Sequence, residues 1–173
     1  GGWSLIAVDV FTRFTRAAPM ANTTAAEAVR VFRTWNPPPQ ILDTDGGPEF
    51  KGAFQDYLRE IEDVEIQHRV KDPKDTNALA VVDRKIQQIK KAISSMQMES
   101  KKEWKELLPN VVNGINESPT EGALRRAPED VKDNELAIFD LQKANAAKAE
   151  QTEEKQKTQK QKVFASGAVR ELM

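Results

Sequence analysis

The chain has 173 residues, 26 of them basic and 27 acidic, with one histidine and no cysteine. That length suits one domain with an appendage, and the missing thiols exclude a disulfide scaffold, a cysteine-ligated zinc and a cysteine nucleophile. No apolar run approaches the roughly 20 residues that cross a bilayer, and a near-zero net charge leaves any attraction to nucleic acid to local patches.

Residues 4–10 are apolar and β-prone and read as a buried strand. Residues 13–20 follow so closely that a hairpin turning near Phe11 and Thr12 is the simplest connection. Thr24 and Glu27 have the spacing of a capping box. Ala25, Ala28, Val29 and Phe32 then recur at helical intervals, which predicts a helix over 24–35 stopped by Pro37, Pro38 and Pro39. Residues 40–44 read as a short strand and 45–48 as a turn. Phe50, Phe54, Tyr57, Leu58 and Ile61 line one face of a second helix. Residues 64–70 alternate as a strand, and 71–75 form a loop.

The strongest helical pattern covers 77–97, where Leu79, Val82, Ile86, Ile89, Ile93 and Met96 make one apolar stripe. Another helix starts near Lys101, with Trp104, Leu107, Leu108, Val111, Val112 and Ile115 inward, and Pro109 should kink or split it. The order β-β-α-β-α-β-α-α predicts an α/β layer fold with a mixed sheet. From about Leu141 the composition turns to Lys, Gln, Glu and Ala, an exposed helix or linker without its own core. Residues 163–169 turn apolar again, as at the entrance to a further element.

Charge is uneven along the chain. Residues 84–105 carry Arg84, Lys85, Lys90, Lys91, Lys101, Lys102 and Lys105 against Glu99 and Glu103. Such a run is ordinarily a solvated helical face. Three carboxylates stand out beside it. Asp9 interrupts the apolar first strand, where it needs solvent, a partner or a metal. Asp45 precedes Gly46 and Gly47, a position that also suits a turn aspartate. Alternation puts Asp43 on the same face, so periodicity does not separate the two. Asp83 lies beside the long apolar stripe and shares a helix face with Gln87 and Lys90. Carboxylates at the ends of neighbouring strands can converge, and a helix can supply a third. Three such oxygen donors suit Mg²⁺ or Mn²⁺, and a pair of these ions supports phosphoryl transfer.

The ordered set resembles a retroviral-type integrase catalytic core, as found in retroelements and related transposons. The pieces are the strand ending in Asp9 with Thr12, Arg13 and Phe14 after it, then Asp45 to Phe50, then Asn77 to Arg84. Trp104, Leu107, Leu108, Val111, Val112, Asn116 and the run Ala127, Pro128, Glu129 complete the resemblance, which covers about residues 4–132. It implies an RNase H-like three-layer fold over 1–132, with 133–173 a charged helical tail.

It also implies that Asp9, Asp45 and Asp83 are the catalytic metal ligands of a two-metal Mg²⁺ or Mn²⁺ site, which prefers Asp45 to Asp43. Lys85, Gln87, Lys90 and Lys91 would contact DNA, with Lys101 and Lys102 adding phosphate neutralisation. The implied activity is 3′-end processing and strand transfer on DNA by a homo-oligomer, in the nucleus by analogy with such elements. The alternative is a degenerate core that binds nucleic acid or protein without catalysis, and a plain RNase H-type nuclease shares the fold. Three features depart from the family. The third acid is Asp83 rather than Glu, 37 residues rather than the usual 35 separate it from Asp45, and Ala78 stands where glycine is usual. No zinc module precedes the first strand, so the chain reads as a fragment.

Overall fold

The computed structural model describes residues 2–61, 64–72, 74 and 79–171, with side chains as far as Lys157. Strands β1 (Trp3–Val8) and β2 (Thr15–Met20) form an antiparallel hairpin with Val8 opposite Thr15. The pleat sends successive side chains to opposite faces. Leu5 and Ala18 therefore join one core, while Ile6 and Ala17 join another.

The first core lies under α1 (Ala25–Phe32) and α2 (Ala53–Glu60), where Val31, Phe32, Phe54 and Leu58 are buried. The rings of Phe32 and Phe54 meet edge to face at 5.4 Å. The second core lies under α3 (Ala80–Ser100) and α4 (Trp104–Glu117), through Ile89, Leu108, Val111, Val112 and Ile115. Helices thus cover both faces of the hairpin, which is the expected three-layer arrangement. A third cluster joins α5 (Pro128–Val131) to the start of α6 (Glu135–Glu171), through Ala123, Val131, Ala137 and Leu141.

The expected mixed sheet is present in two pieces. Strands β3 (Ile41–Thr44) and β4 (Gln67–Val70) pair in parallel, with Asp43 opposite Arg69. Among the described residues β1 bonds only to β2, and β3 only to β4. Leu42 still packs against the same core as Leu5 and Ala18, so both pieces lie beneath the α1–α2 layer.

Element boundaries differ from the expected ones in instructive ways. β1 stops before Asp9, because the Asp9 carboxylate takes over the N–H groups of the following loop. α1 ends at Phe32, short of the prolines. The second helix is divided, with a 3-10 turn at Pro48–Phe50 and Gly52 at φ +51 before α2. Residues 75–78, the expected start of the long helix, lie outside the described residues. Pro109 lies within α4 without splitting it. Leu107 and Leu108 on one side and Val111 and Val112 on the other are buried, so tertiary packing carries the helix past the missing N–H.

The capping box is also altered. Thr24 Oγ1 accepts from Glu27 N at 3.3 Å, but Glu27 reaches back to Ala21 N at 2.7 Å and pairs with Arg30. Arg30 first and the Ala21 N–H second hold the Glu27 carboxyl down to about 2. A carboxylate depressed on folding stabilises above its ordinary pKa, and that contribution fades as pH falls through the folded value. Urea unfolding between pH 6 and pH 2 should therefore show a loss of stability below about pH 4.5 that is smaller in Glu27→Gln.

Candidate functional site

Asp9 stands just past β1, in the loop that joins it to β2. The loop closes through Asp9 N to Phe14 O at 2.8 Å, and Arg13 N returns to Asp9 O at 2.8 Å. Asp9 Oδ1 accepts from Phe11 N at 2.8 Å and Thr12 N at 3.0 Å. The side chain is exposed, and Oδ2 makes no hydrogen bond among the described residues. Its local work is to shape the turn.

Asp45 follows β3 and is exposed. Its Oδ1 accepts from Gly47 N at 3.0 Å, which folds the chain into the 3-10 turn. The strand end is steadied by Thr44 Oγ1, 2.8 Å from His68 Nε2, while the His68 ring lies edge-on to Phe54. Partial burial holds His68 below the ordinary histidine pKa, in keeping with a structural rather than catalytic residue.

Asp43 and Asp45 are now separable. Asp43 accepts from Arg69 Nε and Nη2, at 2.6 and 2.8 Å, and Lys71 Nζ lies 3.3 Å away. Arg69 first and Lys71 after it hold the Asp43 carboxyl below its ordinary range. Asp43 is therefore a cross-strand ion pair, and Asp45 is the carboxylate left open at this end of β3.

Asp83 lies in the first turn of α3, exposed, its N–H donating to Leu79 O at 3.0 Å and its carboxylate without a hydrogen bond or ion pair among the described residues. Gln87, Lys90 and Lys91 are exposed along the same helix. Lys85 is not. It retains only 8% exposure and donates to Gln88 Oε1 at 3.2 Å. It stands four residues before the core residue Ile89, so Lys85 is buried on α3 beside the stripe where Val82 and Ile86 were expected inward. Lys85 therefore leaves the set of solvent-facing DNA contacts.

The expected convergence of Asp9 with Asp45 rested on neighbouring strands, and β1 and β3 do not bond to each other. Among the described residues no three histidine, aspartate or glutamate side chains lie close enough to share one metal ion. The donors themselves suit Mg²⁺ or Mn²⁺: Asp45 and Asp83 are exposed carboxylates without cationic partners among the described residues.

No family model matches the sequence, and no curated protein is similar to it. Solved structures are similar in fold. A chain of the simian T-cell lymphotropic virus intasome matches with a TM-score of 0.66 at 17% identity, over 76% of this chain and 48% of that one. The catalytic core domain of BIV integrase matches with a TM-score of 0.56 at 18% identity, over 74% of this chain and 83% of that one. The fold is that of a retroviral integrase catalytic core. This integrase-like core spans about half the length of the intasome chain it matches.

The resemblance included Asn116 and Arg13, but the contacts of neither were legible in the sequence. Asn116 continues the Leu108–Val112 stripe of α4 and is buried, bonding Thr15 N through Oδ1 and Thr15 O through Nδ2, both at 2.8 Å. A polar residue on an apolar stripe was the available signal. Arg13, at φ +66, places its charge near Asp9, Arg84 and Lys85 at the foot of α3. Burial foremost, with Arg84 adding to it, lowers the Arg13 pKa, and Asp9 opposes the shift. Nothing in the spacing of Arg13 and Lys85 pointed to that meeting.

Proposed function

We propose that this chain is an integrase-type core that acts on DNA by divalent-metal-dependent phosphoryl transfer, with 3′-end processing and strand transfer as its reactions. The observation that supports it is an integrase-core fold that leaves Asp45 and Asp83 exposed and, among the described residues, free of cationic partners, while Asp43 is neutralised. Asp45 and Asp83 are the principal candidate ligands, and Asp9 would add one oxygen, since its other oxygen shapes the loop. A bound Mg²⁺ or Mn²⁺ pair would activate a water or a 3′-hydroxyl and stabilise the leaving oxygen.

The rest falls to the protein's own side chains. Gln87, Lys90 and Lys91 follow Asp83 along the exposed face of α3. They would hold the phosphate backbone in register without reading bases. Positioning a scissile phosphate beside the carboxylates supplies much of the rate advantage in such chemistry. A homo-oligomer would present two DNA ends together.

Calorimetric titration with Mn²⁺ tests the ligand set on wild type, Asp9→Asn, Asp45→Asn and Asp83→Asn. Saturable binding that Asp45→Asn and Asp83→Asn both abolish is expected. Asp9→Asn keeps the acceptor that its loop requires and should weaken binding less. Binding that persists in both Asp45→Asn and Asp83→Asn would sink the assignment.

A further inference from the structure

His68 is the only histidine of the chain. It lies on β4 opposite Leu42, so Thr44, two residues further along β3, shares its face of the sheet. His68 Nε2 lies 2.8 Å from Thr44 Oγ1, and the same hydroxyl donates to Asp45 O at 3.0 Å. A threonine hydroxyl has one proton, and a carbonyl oxygen can only accept. The proton of Thr44 is therefore committed to Asp45, and the ring completes the chain by donating its Nε2–H to Oγ1. Thr44 is buried, and the imidazole is braced edge-on against Phe54, with centroids 6.2 Å apart. Partial burial, opposed by Asp43, holds the ring below the ordinary histidine pKa, so it is neutral near neutral pH.

The chain of bonds ends on the backbone of a candidate ligand. Lys71 N donates to Thr44 O at 2.8 Å, which holds the peptide before Asp45. Thr44 Oγ1 holds the peptide after it, through Asp45 O. Peptide units are planar, so anchoring both leaves the Asp45 backbone little freedom. The carboxylate is then turned by Gly47 N, which donates to Oδ1 at 3.0 Å. Through His68 and Lys71, β4 and the residue after it thus set where Asp45 stands.

We propose that His68, as the Nε2–H tautomer, and Thr44 are positioning residues that hold Asp45 in place as a metal ligand. The metal role rests on the proposed function, whereas the tautomer and the anchored turn rest on the hydrogen bonds alone. Neither residue would touch the metal or the DNA. Hydrogen-bonded partners behind a ligand orient it, and their loss weakens metal binding. A hydroxyl that accepts from one group while donating to another strengthens both bonds.

The whole chain tests this as wild type, His68→Phe, His68→Gln, Thr44→Val and Thr44→Ser. Phenylalanine keeps a ring against Phe54 and valine keeps the shape of Thr44, each without the bond. Glutamine restores an N–H, and serine restores the hydroxyl. Nitrogen NMR of the single imidazole at about pH 8, where the ring is neutral, should find the proton on Nε2. Exchange of the Gly47 N–H with water reads the turn without metal. It should quicken by about 2–10-fold in His68→Phe and Thr44→Val and return towards wild type in His68→Gln and Thr44→Ser. Mn²⁺ affinity by calorimetry should fall by about 10-fold or more in the first pair and recover in the second.

A proton on Nδ1, or wild-type Gly47 exchange in both His68→Phe and Thr44→Val, would overturn the assignment. Should His68→Phe fail to fold, Thr44→Val decides alone. Equal losses in all four variants would also overturn it, since packing and not hydrogen bonding would then hold the turn. Faster exchange with unchanged Mn²⁺ affinity would remove the metal role and leave a support of the turn. If wild type itself binds no Mn²⁺, the proposed function fails, and the tautomer and the Gly47 exchange still decide whether His68 anchors Asp45.

Discussion

Replacing Asn116 with alanine should cost about 2–5 kcal/mol of stability. The amide makes two buried bonds to one residue, Thr15, accepting from its N–H and donating to its C=O. Asp9 N–H donates to Phe14 O, so Val8 and Thr15, the next pair, fall in a non-bonded register. The backbone N–H and C=O of Thr15 therefore point away from β1, and Asn116 is their partner among the described residues. Each buried group left without a partner costs about 1–3 kcal/mol. For a chain of this size the loss corresponds to a Tm lower by roughly 5–15 °C. Urea denaturation should show a lower midpoint with an unchanged m-value. Asn116→Leu separates the causes, since it fills the space without restoring either bond. A stability equal to wild type in Asn116→Leu would mean that the amide contributes volume and little else.

The second large effect concerns catalysis. Asp45→Asn should lower metal-dependent DNA cleavage by about 10²–10³-fold or more, the loss typical of removing one preorganised electrostatic element. The substitution keeps the Oδ1 that accepts from Gly47 N, so the turn should survive and the protein should fold. Asp43→Asn is the control two residues away. It should leave cleavage within a few-fold of wild type while weakening the ion pairs with Arg69 and Lys71. The assay is single-turnover cleavage of an oligonucleotide in Mn²⁺, with a denaturation curve for each variant. Equal cleavage by wild type and Asp45→Asn would remove Asp45 from the chemistry. A larger defect in Asp43→Asn would exchange the roles of the two.

What the sequence disclosed follows from the range of each interaction. Hairpin, helices and layers were readable because their signals are local and periodic. Leu5 and Ile6 alternate, and Leu108, Val111, Val112 and Ile115 repeat on one helix face. The role of Asp43 was not readable, because Arg69 lies 26 positions further on. Asn116 and Thr15 are 101 positions apart. The interior side of α3 was misjudged at its first turn, where apolar periodicity favoured Val82 and Ile86 and the fold placed Lys85 inward. Asp9 was read as a strand-end carboxylate, and a loop of six residues gave it backbone partners of its own. The division of the sheet had no signature, since strand pairing leaves almost no trace in a single sequence.

The hairpin also has a direction that its two strands alone do not reveal. On the outer side of β2, Asn116 occupies Thr15, Pro19 has no N–H to give, and Pro19 O receives Arg30 Nη2 at 3.3 Å. That rim is blocked at Thr15 and Pro19, with the backbone groups of Ala17 between them. The register turns the N–H and C=O groups of Ser4, Ile6 and Val8 outward on β1, with no backbone partner among the described residues. An unpaired row of this kind is a template for another extended segment. Growth of the sheet by strand addition is thus lopsided, open along β1 and obstructed at two of three positions along β2.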